Sequence, residues 1–148
     1  MRKFLKEIRI LCQKEKFEQA LKKIERVESE YQLIEPEYYV YKSICIQLTK
    51  NKNYSLPDAE KCLKRALSID ENHINTIIEL GWYNLNVKNN AQKGLDYFER
   101  ALKLIGEHNL SIAVGLIQSS MELNKKYNIE NIITQLINKA DVLSKIKK

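Results

Sequence analysis

Three cysteines and two histidines are the side chains in this 148-residue sequence best suited to chemistry. The cysteines, Cys12, Cys45 and Cys62, are widely separated and form no CxxC pair. His73 and His108 lie in two different polar turns, 35 positions apart. Zinc sites and disulfide frameworks need such residues in clusters or in even numbers at short spacing. The sequence therefore predicts neither, and we interpret the cysteines as small apolar residues of a reduced protein.

Enzyme motifs are missing from the sequence as well. It contains no glycine-rich phosphate loop, no GxSxG, no HExxH and no base–nucleophile pair on adjacent helical turns. We expect a protein that is not an enzyme and that needs no cofactor and no metal.

The composition favours helices and carries excess positive charge. Four glycines and two prolines are few turn formers, which predicts an all-α fold of long helices rather than many short strands. The formal net charge of +6 could attract nucleic acid or acidic protein segments. Because Lys greatly outnumbers Arg, and Arg is the better reader of phosphates and guanines, we expect nucleic acid to be the less favoured partner. A genome bias toward AT-rich codons would produce the same lysines.

We expect no secretion signal in the first residues, since Lys6, Glu7 and Arg9 interrupt the apolar stretch. No apolar run approaches the roughly 18 residues that suggest a membrane span. We expect a cytoplasmic protein that does not enter a membrane.

Apolar residues recur at three- and four-residue steps through the chain, which is the pattern of amphipathic helices. The first six stripes are Phe4, Leu5, Ile8, Leu11 and Cys12; Phe17, Ala20, Leu21, Ile24 and Val27; Tyr41, Ile44, Cys45 and Leu48; Ala59, Cys62, Leu63, Ala66 and Leu67; Ile77, Leu80, Gly81 and Leu85; and Gly94, Leu95, Phe98, Ala101 and Leu102. Two further helices near residues 111–123 and 129–144 bring the predicted number to about eight.

Two sets of positions repeat along the chain. Ala59, Leu63 and Ala66 recur 35 positions later as Gly94, Phe98 and Ala101, and Tyr41, Ile44 and Cys45 recur 36 positions later as Ile77, Leu80 and Gly81. Antiparallel helices approach closely only where one side chain is small, so each pair needs a small residue at its crossing point. A larger one would cost roughly 1–3 kcal/mol.

With these residues in view, the chain resembles the tetratricopeptide repeat family. Three repeats are recognisable and a degenerate helix pair follows, in units of roughly 1–36, 37–73, 74–108 and 109–145. Glu71 and Gly106 replace the family's prolines, and Asn84 stands where an aromatic residue is usual. The resemblance implies one α-solenoid domain over residues 1–148; a generic helical bundle is the alternative.

The resemblance also implies a concave groove lined by the first helix of each pair. Carried over by register, the partner-binding residues are Arg2, Lys6, Arg9, Tyr39, Lys42, Ile46, Asn75, Ile78, Trp82 and Asn86, with Leu5 beside them. Such a groove would be basic at its amino-terminal end and apolar around Trp82. The basic stripe could equally be a solvated helix face, and Trp82 could equally pack in the core.

The function expected from this reading is the binding of a partner protein through an acidic or amphipathic segment. A dedicated client, such as a secreted protein held by a chaperone or a toxin held by an immunity protein, would suit so short a chain. Binding of nucleic acid through the lysine-rich surface is the alternative function. Self-association through the last helix pair is also left open by the sequence.

Overall fold

The computed structural model describes residues 2–31, 35–49, 53–105 and 110–123, and within these ranges the chain is all-helical. Seven helices follow one another: α1 (Arg2–Gln13), α2 (Phe17–Glu30), α3 (Pro36–Leu48), α4 (Leu56–Ile69), α5 (Ile74–Trp82), α6 (Ala91–Ile105) and α7 (Leu110–Glu122). A π-helical turn, Tyr83–Val87, continues α5. The helix predicted near residues 129–144 lies outside the described residues. Within the described residues there are seven α-helices, compared with about eight predicted for the chain.

The chain divides into two compact units, Met1–Glu79 and Leu80–Lys148, and the division falls within α5. In the first unit α1 packs against α2 and α3, α2 also packs against α3, and α3 packs against α4. In the second unit α6 packs against the π-helical turn and α7. The sequence-based expectation of one repeat domain over 1–148 stays a prediction.

A short reversal joins α1 to α2. Glu15 adopts a left-handed backbone with φ of 56°, and the N–H groups of Glu15 and Lys16 donate to the carbonyls of Cys12 and Leu11 at 3.0 and 2.9 Å. This pair of bonds satisfies carbonyls that the end of a helix leaves without partners. It turns the chain within three residues and allows α2 to pack back along α1.

The start of α4 is fixed by its own sequence. The Asp58 carboxylate accepts hydrogen bonds from the Ser55 N–H at 3.0 Å and from the Ser55 hydroxyl at 2.6 Å, and Pro57 lies in the first turn. A carboxylate that closes back on the residue before the helix satisfies one of its free donors. These bonds hold the pKa of Asp58 well below its usual range.

The buried face of α3 differs from the sequence prediction. Leu48, expected in the buried stripe, is 59% exposed, whereas Tyr38, Val40 and Ile46 are buried together with Cys45. The predicted stripe members Tyr41 and Ile44 are only partly buried. Because apolar residues surround this helix on all sides, their spacing does not decide which face turns inward.

In the second unit, small residues surround one aromatic ring. Phe98 is fully buried, and a Cβ added at Gly81 or Gly115 would lie 2.7 or 2.4 Å from its ring. Trp82 meets the same ring edge-on, with the ring centroids 5.0 Å apart. The prediction that Gly81 marks a close helix contact is therefore confirmed. Gly115 plays the same part on α7, and the sequence reading did not single it out.

The π-helical turn contains a buried asparagine. The Asn84 side-chain amide donates to the Leu80 carbonyl at 2.8 Å, four residues earlier. A side chain that competes in this way for a helix carbonyl favours departures from regular α-helical bonding. Asn84, which stands where the family has an aromatic residue, thus lies in the segment where the backbone changes from α-helix to π-helix.

Candidate binding groove

A depression in the first unit lies between α1 and α3. It has a volume of about 430 Å³ and is lined by Leu5, Lys6, Arg9, Glu37 and Tyr41. Two basic side chains from α1 thus face an acidic and an aromatic one from α3.

A second depression, of about 220 Å³, lies between α3 and the start of α5. Its lining residues are Glu37, Val40, Tyr41, Ile44, Asn75, Ile78 and Glu79. Since Glu37 and Tyr41 line both depressions, the two adjoin across α3. We call them together the groove; every residue named for it belongs to the unit Met1–Glu79.

The α1 wall of the groove is cationic. Lys6 and Arg9 are exposed and three residues apart, so they project from the same side of the helix. Burial raises the pKa of the Tyr41 hydroxyl, as does the charge of Glu37, while the charge of Arg9 opposes both. The guanidinium is thus close enough to act electrostatically on the tyrosine of the groove floor.

Glu37 is the better satisfied of the two carboxylates in the groove. Asn75 Nδ2 donates to both of its oxygens at 3.3 Å, and His73 Nε2 lies 3.1 Å from Oε2. The other ring nitrogen of His73 lies 2.7 Å from the Thr76 hydroxyl. These contacts join α3 to the turn before α5 and to the first turn of α5, and they hold Glu37 in place.

Glu79 is in a different state. It is partly buried, and its carboxylate accepts a hydrogen bond from Gln47 Nε2 at 3.3 Å. Burial raises the pKa of the Glu79 carboxyl, and the bond from the neutral Gln47 only partly offsets that rise. No lysine or arginine forms an ion pair with it among the residues that the structure describes.

The structure brings four of the predicted binding residues to the groove. Lys6 and Arg9 line the first depression, and Asn75 and Ile78 line the second. Leu5, expected beside them, lines the first. Their role in binding a partner stays a prediction.

The predicted residues of α3 have other surroundings. Lys42 Nζ lies 2.6 Å from Glu28 Oε2 on α2 and 5.3 Å from the centre of the Tyr54 ring. Ile46 is buried in the core, Tyr39 is partly buried, and none of the three lines either depression. The groove-facing residues of this helix are instead Glu37, Val40, Tyr41 and Ile44. The difference arises because the prediction places Tyr41 and Ile44 on the buried face of α3 and Tyr39, Lys42 and Ile46 on its groove face.

Three predicted residues fall elsewhere. Trp82 is partly exposed beside Phe98, and Asn86 is exposed; both belong to the unit Leu80–Lys148. Arg2 lies in the first turn of α1, and its side chain is outside what the structure describes.

The partner-binding residues predicted from the sequence include neither carboxylate. Glu37 and Tyr41 are four residues apart and Ile44 follows three later, so helical spacing places them on one face. That signal was present, but the apolar members were assigned to the core. The indication for Glu79 is weaker. Its spacing of four residues from Asn75 places the two on one helix face, but its burial depends on how the neighbouring helices pack.

The groove offers cations on the α1 wall, an apolar and aromatic floor on α3 that includes the carboxylate of Glu37, and the carboxylate of Glu79 on the α5 wall. No group of three or more His, Cys, Asp or Glu side chains able to hold a metal occurs in the described part of the chain. None of the described helices is long and apolar enough to cross a membrane. No protein-family model and no curated protein matches the sequence.

Proposed function

We propose that this chain is a non-enzymatic interaction module that binds a segment of a partner protein in the groove. The observation that carries the proposal is the adjoining pair of depressions across α3, lined in turn by α1, α3 and α5. Aromatic and apolar floor residues supply buried area, and the charged walls supply orientation and speed of association.

The finer architecture belongs to the same proposal. A tetratricopeptide-like solenoid of helix pairs is supported by the packing in the first unit, where α1 contacts both its own partner α2 and the first helix of the next pair, α3. The close helix contact at Gly81 also agrees with the small-residue rule of the repeat. In such a solenoid the groove would be the concave face.

The kind of partner follows from the same reasoning. We infer a dedicated client protein bound in the cytoplasm, with a chaperone or immunity role as the form that suits a short binding module. The last helix pair would be the part of the chain available for self-association.

The test is co-purification from the native cell with a charge-reversed groove. The double variant Lys6→Glu with Arg9→Glu should lose the partner that the wild-type chain retains, because both side chains line the first depression. The matched control is Lys16→Glu with Lys22→Glu, which makes the same change in net charge at exposed positions outside the groove. The control should retain the partner.

Two outcomes would count against the proposal. Loss of the partner in both double variants would indicate a response to net charge rather than to the groove. Co-purification of RNA or DNA with the chain would favour the nucleic-acid alternative. In that case nuclease should remove the bound material, and its binding should fall steeply as salt is raised.

A further inference from the structure

The groove carries opposite charges at its two walls, and this polarity restricts what can occupy it. Lys6 and Arg9 are exposed on α1, and no ion pair involving either occurs among the described residues. Across α3, Glu79 contributes a partly buried carboxylate to the other end. A ligand with one kind of charge would therefore match one wall and be repelled by the other.

Glu79 is the more selective of the two ends. Its neighbour Glu37 is bonded to Asn75 and to His73, so that carboxylate has its donors within the chain. Glu79 accepts a bond of the same length, 3.3 Å, from the neutral amide of Gln47, but no histidine, lysine or arginine forms an ion pair with it among the described residues. A carboxylate removed from water without a cationic partner is costly, and a cation supplied by a ligand would remove part of that cost.

The distance between the walls follows from helix packing. In the proposed solenoid, neighbouring helices would lie about 8–10 Å apart, so α1 and the start of α5 would be on the order of 16–20 Å apart across α3. An extended chain advances about 3.3 Å per residue, so roughly five or six residues cover that distance. The apolar floor between the walls, with Tyr41 at the shared edge of the two depressions, would take the side chains between.

We propose that the groove binds an extended segment of a partner protein that carries an acidic side chain against Lys6 and Arg9 and a lysine or arginine against Glu79, about five or six residues apart. This inference rests on the proposed function, since it names the chemistry of the segment that the groove takes. The charge pair at Glu79 selects the segment, and the cations on α1 orient it.

The test uses a set of synthetic peptides with capped ends and one common spacer of alternating Leu and Ala. Each end of the spacer carries either Glu or Lys, which gives four peptides. Binding to the purified full chain is measured by fluorescence anisotropy. Peptides with one Glu and one Lys, in at least one order, should bind about tenfold more tightly than the peptide with two Glu residues.

Substitutions at Glu79 then assign the preference to this residue. Glu79→Gln should abolish the tenfold difference, and Glu79→Lys should reverse it in favour of the peptide with two Glu residues. The control Glu18→Gln, at an exposed position of α2 outside the groove, should leave the preference unchanged. Circular dichroism of each variant checks that the helices are retained.

The two proposals fail in different ways. Equal binding of the mixed-charge and doubly acidic peptides to the wild type, or an unchanged preference in Glu79→Lys, overturns the role of Glu79 and leaves the groove as a peptide site. Absence of binding by every peptide overturns this inference, and if the groove variants also retain the cellular partner, the proposed function fails with it.

Discussion

At the scale of single residues, the groove contains a side chain that is held in a state unfavourable to stability. Burial raises the pKa of Glu79, and the described ion pairs include none that compensates for it. Residues that a fold keeps at such a cost are frequently those that bind ligands, because complementarity to a ligand and stability of the free protein make different demands.

The substitution Glu79→Gln should therefore stabilise the free protein at neutral pH. The native state binds this proton more tightly than the unfolded state does, so its contribution is full below the unfolded pKa and is lost as pH rises through the folded pKa. Wild-type stability should fall relative to that of Glu79→Gln over this interval. Urea unfolding at a series of pH values measures the difference. Parallel curves for the two proteins would show that the Glu79 proton is bound equally in both states.

Reactivity of the cysteines is a second prediction for single residues. Cys12 and Cys45 have their sulfur atoms 3.7 Å apart, and the hydrogen bond from Cys45 lowers the pKa of the Cys12 thiol. Burial raises the pKa of Cys62 to about 11. Because the thiolate is the reactive form, iodoacetamide should modify Cys12 at least about tenfold faster than Cys62.

Mass spectrometry of digested protein at successive times measures these rates. Cys45→Ala removes the hydrogen-bond donor and should slow the modification of Cys12, whereas Cys62→Ala should leave it unchanged. Equal rates at Cys12 and Cys62 in the wild type would contradict the assignment.

At the scale of helices, the second unit depends on the contact between α6 and α7. A methyl group at Gly115 would lie 2.4 Å from the Phe98 ring, which is fully buried. Gly115→Ala should destabilise this unit by about 1–3 kcal/mol through overpacking. Fluorescence of Trp82, the only tryptophan and a neighbour of Phe98, follows its unfolding.

The matched variant for this contact is Phe98→Leu, which replaces the ring that the new methyl group would meet with a smaller side chain. The double variant should be less destabilised than the sum of the two single changes, as expected for residues in direct contact. Val114→Ala, at an exposed position of the same helix, should have little effect. Strict additivity of the first two changes would place Gly115 outside this contact.

The helices themselves could be predicted, but the face that each presents could be predicted only in part. In α1 and α2 charged residues separate the apolar stripes, so only one face of each helix is apolar enough to turn toward the core. Ile8 and Ile24 lie on these faces, and both are buried. In α3 the apolar residues do not single out one face. Its pattern predicts Leu48 and Tyr41 in the core, but Leu48 is exposed and Tyr41 lines the groove.

The site was predictable to a similar extent. Lys6 and Arg9 are placed on the groove by the register of the family resemblance, and both line the first depression. Glu79 could not be found in this way, because its removal from water depends on where Gln47 and the neighbouring helix lie. The π-helical turn at Tyr83–Val87 likewise depends on the bond from Asn84 to the Leu80 carbonyl.

At the scale of the whole molecule, the chain has a net charge of +6, and its first unit contains a groove whose α1 and α5 walls have opposite signs. Excess positive charge speeds the approach of acidic partners from any direction. Under the proposed function, the groove would determine which of them remain, because the carboxylates of Glu37 and Glu79 would repel a purely acidic segment. Binding would then combine a general attraction with a local selection.

The proposed function requires that α1, α3 and the start of α5 contact the partner segment. Amide hydrogen exchange of the chain, free and bound to the client that co-purifies with it, measures this contact helix by helix. We predict that binding slows exchange in α1, α3 and residues 74–79 and leaves α2 and α4 unchanged. Slower exchange confined to α2 and α4, with α1 and α3 unaffected, would place the partner outside the groove and overturn the proposal.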